Sequence, residues 1–173
     1  MKRIPSVLPL LVFAAATHFL VDTVAGMLNP LWPRLDAHYR LVGWESAALF
    51  FLWQITTSVS QFWFGLYGDR FRAHWLLWAG PLAAIICLGS VGLTHSPLVL
   101  AILLSVAGLG IAAYHPEAAT LAGGCAPEHR SRAMSIFTMG GFLGQATGPI
   151  FSGNLVDALG LPGMTWTILA GLL

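Results

Sequence analysis

Long apolar stretches with few or no charged residues make up most of this sequence, and they constrain its fold more than any other feature. A helix needs about 20 predominantly apolar residues to cross the hydrocarbon core of a bilayer. Five stretches reach that length, and a shorter apolar stretch precedes the last residue. We predict five complete membrane spans and the start of a sixth, over residues 6–32, 47–67, 75–93, 98–121, 133–156 and 164–173.

The composition supports this interpretation, since 57% of the residues are hydrophobic and only 9% are charged. Soluble domains carry about 25% charged residues. We therefore predict an all-α polytopic membrane protein, with residues 1–173 forming one transmembrane helical unit in the lipid bilayer. The first apolar stretch extends from Ser6 to Trp32, which is too long for the apolar region of a signal peptide. No basic cluster indicates a nucleic-acid partner.

The basic residues are distributed unevenly along the chain. The loop after the first span carries Arg34 and Arg40. Most of the others lie at the N-terminus and in the loops after the second and fourth spans, namely Lys2, Arg3, Arg70, Arg72, Arg130 and Arg132. Because cytoplasmic loops are enriched in lysine and arginine, we place these segments in the cytoplasm. The prediction is a multi-pass protein of the cell (inner) membrane with a cytoplasmic N-terminus.

Ionisable residues within the spans are candidates for function. His18 and Asp22 stand one helical turn apart in the first span and so share a face. In the fourth span, His115 and Glu117 flank Pro116, which we expect to bend or open the helix. Ionisable groups at this depth face a bundle interior or an aqueous path, although both pairs could serve only packing.

The middle of the second span is also polar. Such side chains either join helices by hydrogen bonds or line a pathway, and the sequence leaves both roles open. They are Gln54, Thr56, Thr57, Ser58, Ser60 and Gln61.

A turn containing Gly65, Asp69 and Arg70 separates the second and third spans. The pattern Gly-x-x-x-Asp-Arg between two spans resembles the signature of the major facilitator superfamily. There the glycine lets helices approach closely, and the two charged residues form a relay with neighbouring helix ends. The resemblance implies a conformational-switch loop at these three residues, and it implies that the chain is similar to one six-helix half of a transporter.

Two further motifs narrow the resemblance. His18-Phe-x-x-Asp22 in the first span, with Gly108-x-Gly110-x-Ala-Ala-Tyr114-His115-Pro116-Glu117 in the fourth, looks like the fosmidomycin-resistance-type branch of the superfamily. That branch consists of drug or metabolite exporters driven by proton exchange. Gly144, Gly148 and Pro149 resemble the fifth-helix signature of superfamily antiporters.

These resemblances lead to a set of expected roles in a transporter of a small polar molecule or drug. Asp22 and Glu117 would take up and release the coupling proton. Four side chains would contact the substrate in a central cavity, namely His18, Gln54, Tyr114 and His115. Six residues would form packing seams or hinges, namely Gly108, Gly110, Pro116, Gly144, Gly148 and Pro149. Lipid, a small-molecule substrate and protons are the expected partners, together with a second six-helix half or another copy of the chain.

The sequence is also compatible with two other classes of membrane protein. A non-transporting membrane subunit, or a truncated half that needs a partner, would share the same spans. A membrane metal carrier could use the two histidines and two carboxylates as ligands. We predict no enzyme, no cofactor and no resident metal, because no nucleophile stands beside a base in the sequence.

Overall fold

The computed structural model describes residues 7–71 and 73–172, so the predictions that rest on Lys2, Arg3 and Arg72 lie outside the described residues. Within these ranges the chain is helical and contains no strand, which confirms the all-α prediction. The helices are α1 (Val7–Gly26), α2 (Trp32–Tyr39), α3 (Gly43–Gln54), α4 (Ser60–Phe71), α5 (Leu76–Gly89), α6 (Pro97–Cys125), α7 (Arg130–Leu159) and α8 (Trp166–Leu172). Three 3-10 turns precede α2, α7 and α8, at Asn29–Leu31, Pro127–His129 and Leu161–Thr165.

A π-helical turn, Ile55–Val59, joins α3 to α4 without a break. A π turn leaves some backbone carbonyl oxygens without their usual helical hydrogen bonds. Polar side chains of the second span donate hydrogen bonds to carbonyl oxygens in and near this turn. Thr57 Oγ1 donates to the carbonyl oxygen of Trp53 at 2.8 Å, and Gln61 Nε2 donates to that of Thr57 at 2.8 Å. The polar residues of the second span are thus partly satisfied by their own helix.

Two predicted loops are wrong in their secondary structure. The turn from Gly65 to Arg70 is the last part of α4, which continues to Phe71. The segment after the first span forms α2, which ends at Tyr39 and is followed by Arg40 with a left-handed φ of 54°. Hydropathy detects only the apolar part of a helix, whereas the helix continues until its backbone is capped or broken. Proline in the first turn of α2 favours that start, since its fixed φ suits a helix N-terminus.

Length and hydropathy together identify two helical stretches of the described chain as able to cross a membrane. They are Leu8–Tyr39 and Pro97–Cys125. The second lies at the centre of the bundle, where α6 contacts α1, α3, α4, α5 and α7. Leu100 and Leu104 of α6 are fully buried there.

Glycines allow helix backbones to touch in two seams. In the seam between α7 and α1, a Cβ atom at Gly144 would overlap the carbonyl oxygen of Phe19, and one at Gly148 would overlap that of Thr23. In the seam between α5 and α6, a Cβ atom at Gly110 would overlap the carbonyl oxygen of Gly80. Small residues permit this approach, which side chains of any size would prevent.

Polar contacts join the connections at one end of the bundle. Arg34 forms an ion pair with Asp157 at the end of α7. His38 Nε2 donates to the carbonyl oxygen of Thr94 at 2.7 Å, between α5 and α6. These contacts place α2, the α5–α6 connection and the end of α7 on the same side of the bundle.

The close contact between α5 and α6 at Gly110 predicts that one added methyl group there destabilises the protein. Gly110→Ala should lower the free energy of unfolding by about 1–3 kcal/mol, because overpacked contacts force backbone shifts. Thermal unfolding of the purified chain in mild detergent measures the effect. Gly124→Ala in the same helix is the control, since a Cβ atom there meets nothing within 4 Å. Equal stability of the two variants would contradict the close seam.

Candidate functional site

Three ionisable side chains from α1 and α6 meet inside the bundle. Asp22 Oδ2 lies 3.4 Å from His18 Nε2, and Asp22 Oδ1 lies 3.1 Å from His115 Nε2. His18 and Asp22 are less than 9% exposed, and His115 is largely covered. One carboxylate is thus held between two imidazole rings from different helices.

Backbone carbonyl groups fix the orientation of both rings. His18 Nδ1 lies 2.8 Å from the carbonyl oxygen of Phe137 in α7, and His115 Nδ1 lies 2.8 Å from that of Ile111. A carbonyl oxygen can only accept a hydrogen bond, so each Nδ1 carries the hydrogen. The second nitrogen of each ring, Nε2, therefore faces Asp22. The His18 ring also stacks on Phe137 with 4.0 Å between ring centroids.

A polar cavity of about 350 Å³ opens beside this group. Asp22 and His115 form part of its wall, whereas His18 lies behind them. The rest of the wall comes from α1, the 3-10 turn before α2, α3, the π turn, α4, α6 and α7, through Ala25, Asn29, Phe50, Trp53, Gln54, Thr57, Ser58, Gln61, Ile111 and Gln145. Amide and hydroxyl groups beside a carboxylate and an imidazole can bind a polar molecule.

Tyr114, a predicted substrate contact, does not line this polar cavity. Its side chain is 1% exposed, and its hydroxyl lies 2.8 Å from that of Thr17 in α1. It borders a separate, mainly apolar recess between α1, α5 and α8.

Glu117, a predicted proton carrier, is separated from the histidines of the cluster and is not among the residues that line the polar cavity. Its Oε2 atom lies 3.2 Å from Nδ1 of His74, in the connection between α4 and α5. Gly68 lies against it, because a Cβ atom there would overlap Oε1 of Glu117. Asp69 and Arg70 are exposed beside this contact, at the end of α4. The buried carboxylate of Glu117 thus joins α6 to the end of α4 and to the following connection.

The predicted hinge residues lie inside continuous helices. Pro116 and Pro149 are internal to α6 and α7, which extend past them. Gly65 of α4 packs near Pro116, with 3.7 Å between the proline Cβ and the position of a Cβ at the glycine. Gly108 lies against Thr56 of the π turn.

Sequence reasoning missed three features of the site. Gln145 reaches the cavity from α7, His74 contacts Glu117, and the π turn shapes one wall. Gln145 directly follows Gly144 in a glycine-rich segment. Because such a segment predicts close packing on a neighbouring helix, the sequence did offer a signal that Gln145 lies inside the bundle. The partner of Glu117 had no such signal, because 43 positions separate it from His74.

A helical bundle with buried ionisable groups beside a polar cavity is an arrangement typical of membrane transporters. The sequence matches the profile of the Major Facilitator Superfamily over residues 11–173, and the chain belongs to that family. The predicted family is therefore confirmed, and this family is one of membrane transporters rather than enzymes.

Two bacterial proteins are similar to most of this chain. An uncharacterized MFS-type transporter, YfnC, of Bacillus subtilis strain 168 is 31% identical over 170 residues, which cover 96% of this chain and 41% of the relative. The fosmidomycin resistance protein of Escherichia coli strain K12 is 26% identical over 160 residues, covering 91% of this chain and 39% of the relative. The chain thus spans about two-fifths of the length of these relatives.

The buried cluster predicts a strong effect of removing its carboxylate. Asp22→Ala should lower the free energy of unfolding by about 1–3 kcal/mol, because it leaves two buried Nε2 atoms without their partner. Asp157→Ala, which breaks the exposed pair with Arg34, should cost at most about 1 kcal/mol. Denaturant unfolding in one detergent compares the two variants. A larger loss of unfolding free energy for Asp157→Ala than for Asp22→Ala would contradict the conclusion that the buried cluster stabilises the bundle.

Proposed function

We propose that this chain forms part of a transporter that exports a small polar molecule or drug in exchange for protons. The observation that carries the proposal is the buried group of His18, Asp22 and His115 at the wall of a polar cavity. Ionisable groups are expensive inside a membrane, and they are found where ions or substrates pass. Export is suggested by the name of the Escherichia coli relative, a resistance protein.

Substrate would bind in the 350 Å³ cavity. His115 and Gln54 supply polar contacts there, and Gln145 extends the polar wall onto α7. His18 acts behind this surface by holding Asp22 from the side of α7. Fosmidomycin is the first probe to use, because the resistance protein of Escherichia coli is named for it.

Proton exchange would use the two buried carboxylates at different depths. Asp22 contacts the substrate cavity, and Glu117 contacts His74 beside the end of α4. Gly65, Asp69 and Arg70 on the last turns of α4 would respond to the state of Glu117, since Gly68 touches that side chain. Gly144, Gly148 and Pro149 would let α7 move along α1 during alternating access.

A second six-helix half, or another copy of this chain, would complete the cavity. The support is the exposure of the cavity-lining Phe50, Gln54 and Gln145 on one face of the described bundle. Transporters of this kind bind substrate between two repeats.

Five spans and part of a sixth belong to the same proposal. The continuous helical segment 43–71 and helix α7 are each long enough to cross a bilayer at about 1.5 Å per residue. With Leu8–Tyr39 and Pro97–Cys125 they make four spans, and the fifth would be the shorter apolar helix α5 with its flanking residues. The ion pair of Arg34 with Asp157 would lie outside the cell, and the contact of Glu117 with His74 would lie on the cytoplasmic side.

Replacing either carboxylate by its amide tests the coupling. In liposomes containing a transporter built with this chain, Glu117→Gln and Asp22→Asn should abolish fosmidomycin accumulation driven by a proton gradient. Exchange at equal concentrations should stay measurable, because it needs no net proton transfer. Glu128→Gln, which changes an exposed carboxylate, is the control. Accumulation at wild-type rates by both variants would exclude these residues as obligatory carriers.

Orientation can be tested by thiol labelling in intact cells. After replacement of Cys87 and Cys125, a cysteine at His129 should be shielded from a membrane-impermeant reagent, and a cysteine at His95 should react. Both positions are exposed in the structure, so burial does not confound the comparison. The reverse labelling pattern would overturn the cytoplasmic placement of the α6–α7 connection.

A further inference from the structure

The contacts of the two rings leave three electron-pair donors directed at one another. Each Nδ1 is committed to a backbone carbonyl, so neutral His18 and His115 turn unprotonated Nε2 atoms toward Asp22. In these neutral forms the lone pairs face the carboxylate and repel it. A shared cation removes the repulsion, either as a proton that lets a ring Nε2 donate to Asp22 or as a metal ion bound by all three side chains.

The spacing suits a single metal ion. The ligand atoms of His18, Asp22 and His115 all lie within 4.8 Å of one another. His18 Nε2 lies 3.4 Å from Asp22 Oδ2, and His115 Nε2 lies 3.1 Å from the other carboxylate oxygen, Oδ1. Two ligands bound to Zn²⁺ at about 2.0–2.1 Å in tetrahedral geometry lie about 3.4 Å apart. The two nitrogens and one of the carboxylate oxygens can thus reach a single ion after small movements.

The groups around the rings match those of known metal sites. Metal-binding histidines usually donate their other ring hydrogen to a carbonyl or carboxylate, which fixes the ring orientation. Here the acceptors are the carbonyl oxygens of Phe137 and Ile111. Because Phe137 lies in α7, three helices contribute to the arrangement.

Gly141 of α7 leaves space next to the ligand atoms. A Cβ atom at this position would lie 2.7 Å from both Asp22 Oδ2 and His18 Nε2. The missing side chain therefore leaves a small space bordered by two of the three ligands. The cavity beside Asp22 and His115 gives access to the site and room for a water molecule as a further ligand.

We propose that His18, Asp22 and His115 form a binding site for a divalent transition metal ion such as Zn²⁺ or Co²⁺. Two imidazole nitrogens and one carboxylate oxygen are ligands that suit these ions better than Mg²⁺ or Ca²⁺. The inference concerns equilibrium binding and does not depend on the proposed transport. A bound ion would compete with protons for the same atoms, so it would inhibit proton exchange through Asp22.

Cobalt titration tests the site. The whole chain, purified with a tag that lacks histidine and stripped with a chelator, is titrated with Co²⁺ in detergent. We expect one equivalent to bind and to give visible ligand-field absorption, which Zn²⁺ then removes. The His18→Gln/His115→Gln double variant should lose the absorption, and His129→Gln, which changes an exposed histidine, should retain it.

A second variant retains all three ligands and still tests the geometry. Gly141→Ala should weaken Co²⁺ binding at least tenfold, because its methyl group enters the space beside His18 and Asp22. Gly153→Ala, where a Cβ atom meets nothing within 4 Å on the same helix, should bind as the parent does. Circular dichroism checks that each variant is folded. Absence of saturable binding in the folded parent chain, or equal binding by the double histidine variant, would overturn the proposal.

Discussion

Direct contact between helix backbones is the constraint on which the rest of the structure depends. Association inside a membrane gains little from the hydrophobic effect, since lipid tails are as apolar as the helix surfaces. Close packing must replace it, and glycine permits that packing. Gly144 and Gly148 bring α7 onto the backbone of α1. The same approach brings the carbonyl oxygen of Phe137 to His18 and the space at Gly141 to Asp22.

The polar cluster and the apolar packing support each other. A buried charge is tolerated only where partners surround it, and Asp22 has an imidazole on each carboxylate oxygen. His18 belongs to α1 and His115 to α6, so the cluster ties two helices together. It also borders the polar cavity, through Asp22 and His115. The contact that joins α1 to α6 therefore also forms part of the wall of this cavity.

Two polar contacts lie at different ends of the long central helices. Glu117 connects α6 to the segment around Gly68 and His74, and the ion pair of Arg34 with Asp157 connects α2 to the end of α7. In the proposed transport cycle, one end must open while the other closes. The carboxylate of Glu117 is buried where α6 meets the end of α4, although its partner His74 is exposed, whereas both members of the Arg34–Asp157 pair are exposed and weakened by solvent.

The sequence by itself determined the helical class, the family and the pairing of His18 with Asp22, because these depend on apolar length, short motifs and the spacing of one helical turn. Only the tertiary structure decided that His115 completes the group and that Glu117 contacts His74 instead. Both contacts join residues far apart in the chain, and their formation depends on how helices cross at glycines. Hydropathy also did not predict where helices end. Helix α4 includes the charged residues Asp69 and Arg70 and continues to Phe71, because a helix ends where its backbone is capped or broken and not where its apolar residues stop.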